Sequence, residues 1–302
     1  LPPDAKIHDK IDMTPELPPY YSYSIDSNDD NTKMVFTAAL SDINRLYFKD
    51  LNSSEARVIY QSKLNLSEPI MNPKGNRICV VEDNNKLLSF EVGANTKVVK
   101  VISGQVNQIS PLVFLPYKNQ EQILLISNHG EYYRPIIWNN NTNKLEAIDL
   151  KLKNDLFVLG KDTRSEKLVL GGVAGAKHQL IIYWLATGKW EKVGPTDGSF
   201  DLFWGTTLFD NQDNLITKWQ SFNSPPKIIK LLKPKYKKTA VIPFGRTGKI
   251  KNKPGYKLRN VSFKSSDGEK VQMWIAKPST KKPTPFIIYI HGGPNSIVSD
   301  GY

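Results

Sequence analysis

The residues of this chain that could do chemistry by type and spacing stand together near its C-terminal end. The apolar run Pro285-Phe-Ile-Ile-Tyr-Ile290 has strand-forming composition and feeds directly into His291-Gly292-Gly293-Pro294. Two adjacent glycines present no side chain, so backbone N–H groups there can approach a negative charge developing on a reacting carbonyl. That is one half of acyl-transfer chemistry. A nucleophile and a proton acceptor are the other half.

Elsewhere the chemistry-bearing residue types are sparse. The single cysteine, Cys79, lies in the apolar run Ile78-Cys-Val-Val81, which predicts a small core residue and excludes an intramolecular disulfide or a cysteine metal cluster. His8, His129, His178 and His291 stand far apart with no metal-ligand spacing, so neither a metal nor another cofactor is expected. The formal net charge of +12 is spread along the chain, and its one dense stretch, Lys227 to Lys257, is interleaved with Pro, Gly and Ile. This reads as a solvated face and linker rather than a nucleic-acid surface. No apolar run reaches the roughly 18 to 20 residues that span a bilayer. A soluble body without membrane insertion is therefore expected. The first residue is Leu1, which reads as the loss of an N-terminal piece and leaves a cytoplasmic, periplasmic or secreted location open.

The elements that would position the C-terminal turn are strands. From about residue 40 to residue 242 a unit recurs: an apolar strand, a polar turn, a second strand. Five first strands are Arg45–Phe48, Lys86–Phe90, Pro135–Trp138, Leu180–Trp184 and Lys227–Leu232. Their turns, such as Asn139-Asn-Asn-Thr-Asn and Ala186-Thr-Gly, carry residues that tolerate positive φ or bond their own backbone. The second strands hold Val58-Ile-Tyr, Val98–Ile102, Leu145–Ile148, Trp190–Val193 and Thr239–Ile242. A spacing of roughly 42 to 49 residues matches four-stranded propeller blades, and no sustained 3.6 period supports a helical solenoid. Trp and Tyr within these strands are expected to fill the space between blades.

Residues 243–258 combine Pro, Gly and Lys without periodicity, as a linker does. After them Leu258–Phe263, the turn Ser266-Asp267-Gly268 and the alternating run Lys270–Ala276 predict a hairpin that opens a second domain.

The ordered series from Ser266-Asp267-Gly268 through Lys277-Pro278 to His291-Gly292-Gly293-Pro294, placed directly after propeller-like repeats, resembles the prolyl oligopeptidase family of serine peptidases. The resemblance covers about the last 40 residues plus the repeats. It implies a mainly β fold: a β-propeller of four-stranded blades, five read here and up to seven in the family, followed by the beginning of an α/β-hydrolase domain. Residues 1–257 would be propeller and linker, and residues 258–302 the start of the peptidase domain. The turn His291-Gly292-Gly293-Pro294 would shape the site beside the nucleophile. Tyr302 stands where several members place a tyrosine whose hydroxyl stabilises the oxyanion; its other reading is a buried aromatic.

The chain departs from the family pattern in two respects. It has no Gly-x-Ser-x-Gly elbow, so the Ser, Asp and His of a triad are not in it, and it has no Glu-Glu pair of the dipeptidyl members. The expected function is cleavage of oligopeptides by a longer serine peptidase, with the propeller gating access and this piece alone inactive. A non-catalytic propeller binding protein with a decayed hydrolase domain is the alternative, and an esterase of the same hydrolase fold a lesser one. Oligomeric state is not legible.

Overall fold

The computed structural model describes residues 12–17, 21–93, 97–103, 107–117, 120–243, 256–278, 280, 282–285, 287–290 and 298–301. Every regular element among them is a strand. No helix among them is long and apolar enough to cross a membrane. The chain divides into two compact units, Leu1–Ile148 and Asp149–Tyr302.

The first unit holds three four-stranded antiparallel sheets, each a simple meander. Blade one is β1 (Tyr21–Ser27), β2 (Lys33–Leu40), β3 (Ile43–Asp50) and β4 (Arg57–Ser62). Blade two is β5 (Leu66–Met71), β6 (Arg77–Glu82), β7 (Lys86–Glu91) and β8 (Lys97–Ser103). Blade three is β9 (Asn107–Tyr117), β10 (Gln120–His129), β11 (Tyr132–Asn139) and β12 (Lys144–Ala147).

The second unit holds two more. Blade four is β13 (Leu156–Lys161), β14 (Lys167–Ala174), β15 (Lys177–Trp184) and β16 (Trp190–Val193). Blade five is β19 (Leu215–Ser221), β20 (Ser224–Leu232) and β21 (Lys237–Pro243), with its first strand split into β17 (Ser199–Phe200) and β18 (Thr207–Phe209), both paired to β19. A separate hairpin, β22 (Tyr256–Lys264) and β23 (Lys270–Pro278), follows. The fold is thus of the β-propeller type, with five blades among the described residues. The five hairpins read from the sequence are the third and fourth strands of the blades.

Side-chain alternation sorts each strand between its neighbours. In β6, Ile78 and Val80 join Val35, Leu46, Phe48 and Phe90 in the core between blades one and two. Cys79 and Val81 point the other way, joining Ile109, Phe114, Ile123 and Trp138 between blades two and three. A strand buried on both faces must be apolar at successive positions, which is why these stretches read as continuous runs. Cys79 is fully buried, and that burial pushes its thiol up to about 12. In the second unit Leu159, Val169, Leu180 and Ile182 of blade four meet Phe200, Leu215, Trp219 and Ile229 of blade five. Trp138 and Trp219 fill inter-blade space as expected, whereas Trp190 and Trp204 are substantially exposed.

A regularity that the sequence reading did not pick out sets the entry to the second strand in four blades. Asn28, Asn72, Asp162 and Asp210 each close the first strand. Their Oδ1 atoms accept the N–H of Lys33, Arg77, Lys167 and Asn214 at 2.9, 3.0, 2.9 and 2.8 Å. Three residues on, Asn31, Gly75, Ser165 and Asp213 all have positive φ, and each donates its N–H back to the carbonyl of the Asx residue. The side chain thereby replaces a backbone acceptor and fixes a tight hairpin.

One expected strand is not formed. Residues 283–285 and 287–290 pair with no strand among the described residues, and Ile287, Ile288, Tyr289 and Ile290 are 88, 72, 81 and 84% exposed. A strand apolar on both faces gains from its β-propensity only when other strands flank it and layers cover it, and none of the described residues does either.

Candidate functional site

His291, Gly292, Gly293, Pro294 and Tyr302 all lie outside the described residues. What the structure does show is the chain on either side of them, Ile287–Ile290 and Val298–Gly301. The first is exposed; the second is held in place.

The hold begins in the loop before β17. Gly198 has φ +80, and a Cβ built there would stand 2.2 Å from the Gln220 carbonyl oxygen and 2.4 Å from Trp219 Nε1. Only glycine allows so close an approach. Beside it the Trp219 indole donates to the Asp197 carbonyl at 2.9 Å, locking the loop against β19. The Gly198 N–H is left pointing outward and donates to Asp300 Oδ2 at 2.9 Å. Across the sheet end, in the turn between β19 and β20, the Phe222 N–H donates to Asp300 Oδ1 at 2.7 Å.

Neighbouring groups complete the grip. The buried Ser199 hydroxyl donates to the Asp300 carbonyl and stands 3.1 Å from the Ser299 hydroxyl. The Trp274 indole, on β23, donates to the Val298 carbonyl at 2.8 Å. Residues 298–300 are therefore fixed from two sides, by blade five and by the β22–β23 hairpin.

The hairpin itself is secured to blade four, where the Asn260 amide donates to the Gly175 carbonyl at 2.7 Å. Its predicted Ser266-Asp267-Gly268 turn is present: Ser265 donates to the Glu269 carbonyl at 2.8 Å, and Gly268, at φ +88, donates to that of Ser265 at 3.0 Å. The Ser265 hydroxyl on Asp267, followed by the Glu269 N–H, holds that carboxyl below its ordinary range.

His178, on β15, is the only histidine whose side chain is described. Its Nδ1 stands 3.0 Å from the Phe200 N–H and 2.8 Å from the Phe200 carbonyl, tying blade four to β17. Burial, offset in part by the Phe200 backbone and Asp201, lowers its pKa and favours the neutral ring. Its role in this arrangement is packing and alignment. No group of three or more His, Cys, Asp or Glu side chains among the described residues is arranged to hold a metal ion.

Comparison with known proteins places this architecture. A solved prolyl endopeptidase, one of two from a study of inter-domain dynamics in catalysis and specificity, matches with a TM-score of 0.65 at 17% identity, covering 92% of this chain and 42% of its own. Apo prolyl oligopeptidase B from Galerina marginata matches with a TM-score of 0.63 at 13% identity, over 87% of this chain and 39% of its own. An oligogalacturonate lyase in complex with manganese matches more weakly, with a TM-score of 0.52 at 16% identity over 67% of this chain and 63% of its own. No family model and no curated protein matches. The chain spans less than half the length of either of these peptidases. At such identities the likeness is one of fold, and a fold hosts more than one activity.

Proposed function

We propose that this chain is the propeller part, together with the opening strands, of a serine peptidase of the prolyl oligopeptidase type that cleaves oligopeptides. Residues 1–257 would form propeller and linker and residues 258–302 the start of the hydrolase domain. The observation that carries the reading is order along the chain. Propeller blades are followed by the Ser266-Asp267-Gly268 hairpin, then the apolar run to Ile290, then His291-Gly292-Gly293-Pro294, then Tyr302. The fold likeness to two prolyl peptidases over 87% or more of the chain supports it.

In this reading Ile287–Ile290 is a sheet strand flanked by strands from the rest of the peptidase domain, which accounts for its uncovered apolar side chains. A serine outside this chain attacks the scissile carbonyl, and a histidine outside it takes the proton. The residues in hand act on the carbonyl oxygen: N–H groups at Gly292-Gly293 and the Tyr302 hydroxyl donate to it as its charge develops. The propeller limits which peptides reach the site.

The test is to express the full-length gene product, treat it with a serine-directed fluorophosphonate and assay oligopeptide cleavage. Covalent labelling with peptide hydrolysis is the expected result. Absence of labelling in a folded full-length protein overturns the assignment.

A further inference from the structure

Blade one turns one face to blade two and carries a second apolar cluster on the other. Strand alternation sets Val35, Leu46 and Phe48 on the first face and Met34, Phe36, Ala38 and Tyr47 on the second, where they are buried together. Phe36 and Tyr47, directly paired across β2 and β3, stack at 5.0 Å. Their cross-strand partners on the outer strands, Ile25 of β1 and Val58 of β4, are exposed. Beside this apolar row stands Lys49, paired with Met34, its side chain only 6% exposed. A cation so buried needs a fixed partner.

That partner comes from residues 12–17. Glu16 Oε1 lies 3.0 Å from Lys49 Nζ and accepts the Ala56 N–H at 2.7 Å, while Lys49 also donates to the Ser54 carbonyl at 3.2 Å. Leu17 packs on the apolar cluster together with Leu51 and Ala56 of the β3–β4 connection. The segment keeps its shape by a turn of its own: the Leu17 N–H donates to the Thr14 carbonyl at 3.0 Å, and the Thr14 N–H to the Asp12 carboxylate at 2.9 Å. Glu16 and Leu17 thus make their contacts without joining a strand ladder. Lifting them breaks no pairing of the blade, which places this segment at the low end of local stability.

We propose that residues 12–17 form a releasable strap over a docking groove on blade one, and that the groove takes peptides in which an acidic residue precedes an aliphatic one. Lys49 and the Ala56 N–H receive the carboxylate, and the Met34, Phe36, Ala38 and Tyr47 cluster receives the aliphatic side chain. The chain's own Glu16-Leu17 fills the groove in cis, so an outside peptide enters only as the strap lifts. The inference stands apart from the peptidase reading.

The experiment uses the whole chain as wild type, as Glu16→Ala/Leu17→Ser, and as that double variant with Lys49→Met added. The probes are two fluorescent peptides, one with the sequence of residues 12–17 and one identical except for lysine in place of its glutamate. Anisotropy titration should show the double variant binding the native-sequence peptide at least about 10-fold more tightly than wild type, whose groove is occupied. It should also prefer that peptide to the lysine peptide by at least about 10-fold, and Lys49→Met should abolish the preference. Failure of the double variant to bind the native-sequence peptide, or equal binding of the two peptides, overturns the docking groove. Glu16→Gln, which keeps an acceptor for Ala56 and loses only the charge, takes its place if the double variant does not fold.

Hydrogen exchange in the wild-type chain decides release without any variant. In rising urea the Ala56 amide should exchange through an opening that leaves the β2–β3 ladder protected. Exchange of Ala56 only together with that ladder makes the segment an integral part of the blade and overturns the strap.

Discussion

Lys167, five residues after Asp162 at the entry to β14, reaches across to Asp213 in the corresponding turn of blade five and pairs with its carboxylate. The same arrangement recurs in the first unit. Arg77, five residues after Asn72, pairs with Glu121 of blade three at 3.4 Å, and Lys33, five after Asn28, donates to the Lys74 carbonyl of blade two at 3.4 Å. The Asx turn fixes the backbone from which the cation springs, so one sequence device both closes a blade and ties it to the next.

The Lys167 side chain is only 8% exposed and lies over the Phe209 ring, while Asp213 also meets Lys233 at 3.6 Å. Removing one partner from a fully buried pair costs about 3–5 kcal/mol. For this partly hydrated pair Asp213→Ala should cost about 2–3 kcal/mol in urea unfolding. Lys167→Met in the same chain should restore most of the loss, because it removes the stranded ammonium.

Gly198→Ala tests the backbone that presents the amide to Asp300. The added Cβ meets the Gln220 carbonyl at 2.2 Å in a left-handed conformation, so the variant should lose about 3 kcal/mol or more by thermal unfolding. Gly175→Ala is the control. Its φ is +57 but nothing lies within 4 Å, so only the conformational cost of about 1 kcal/mol remains.

His178 should give the fold an acid limit. Burial holds its pKa below the ordinary value of 6.5, so the folded chain keeps the ring neutral while the unfolded chain takes up a proton. The unfolded state then binds more protons below about pH 6.5, and stability, complete above that value, drains as pH falls toward the folded pKa. The slope is at most about 1.4 kcal/mol per pH unit. Urea midpoints at pH 8 and pH 5.5 should diverge in the native chain and converge in His178→Phe, after allowance for the carboxylates both share.

The blade hairpins were legible because each outer strand pair puts an apolar run, a turn-forming cluster and a second run in direct succession, as in Leu180–Trp184, Ala186-Thr-Gly and Trp190–Val193. First strands were harder. β5 carries a bulge between Ser67 and Ile70, β13 one between Val158 and Gly160, and blade five splits its first strand around Asp201–Thr206, so the two-residue period is broken where it would be read. The Asx turns were missed because Asn and Asp are frequent in every loop; only the shared register of Asn28, Asn72, Asp162 and Asp210 sets them apart. Asp300 carried no signal, since its partners are backbone amides about 80 and 100 residues away.

The four Asx residues are not interchangeable, and in blade two the difference lies in the Asn72 amide. Asn72 is 1% exposed, and its Nδ2 donates to Glu121 Oε1 at 2.7 Å and to Asn76 Oδ1 at 2.8 Å, while its Oδ1 accepts from Asn76 and Arg77. Asp162 accepts from turn N–H groups, and Asp210 accepts from turn N–H groups and the Asn214 amide and pairs with Lys230 at 2.6 Å, so a carboxylate is suited there. Asn72→Asp would keep the turn's acceptors but set a second carboxylate against Glu121 in a buried place. It should therefore cost about 2–3 kcal/mol, as much as or more than Asn72→Ala despite being closer in shape, because like charges that shed water repel. Glu121→Gln in the Asn72→Asp background should recover about half of that loss, measured by urea unfolding at pH 7. No recovery on adding Glu121→Gln would show that charge is not its cause.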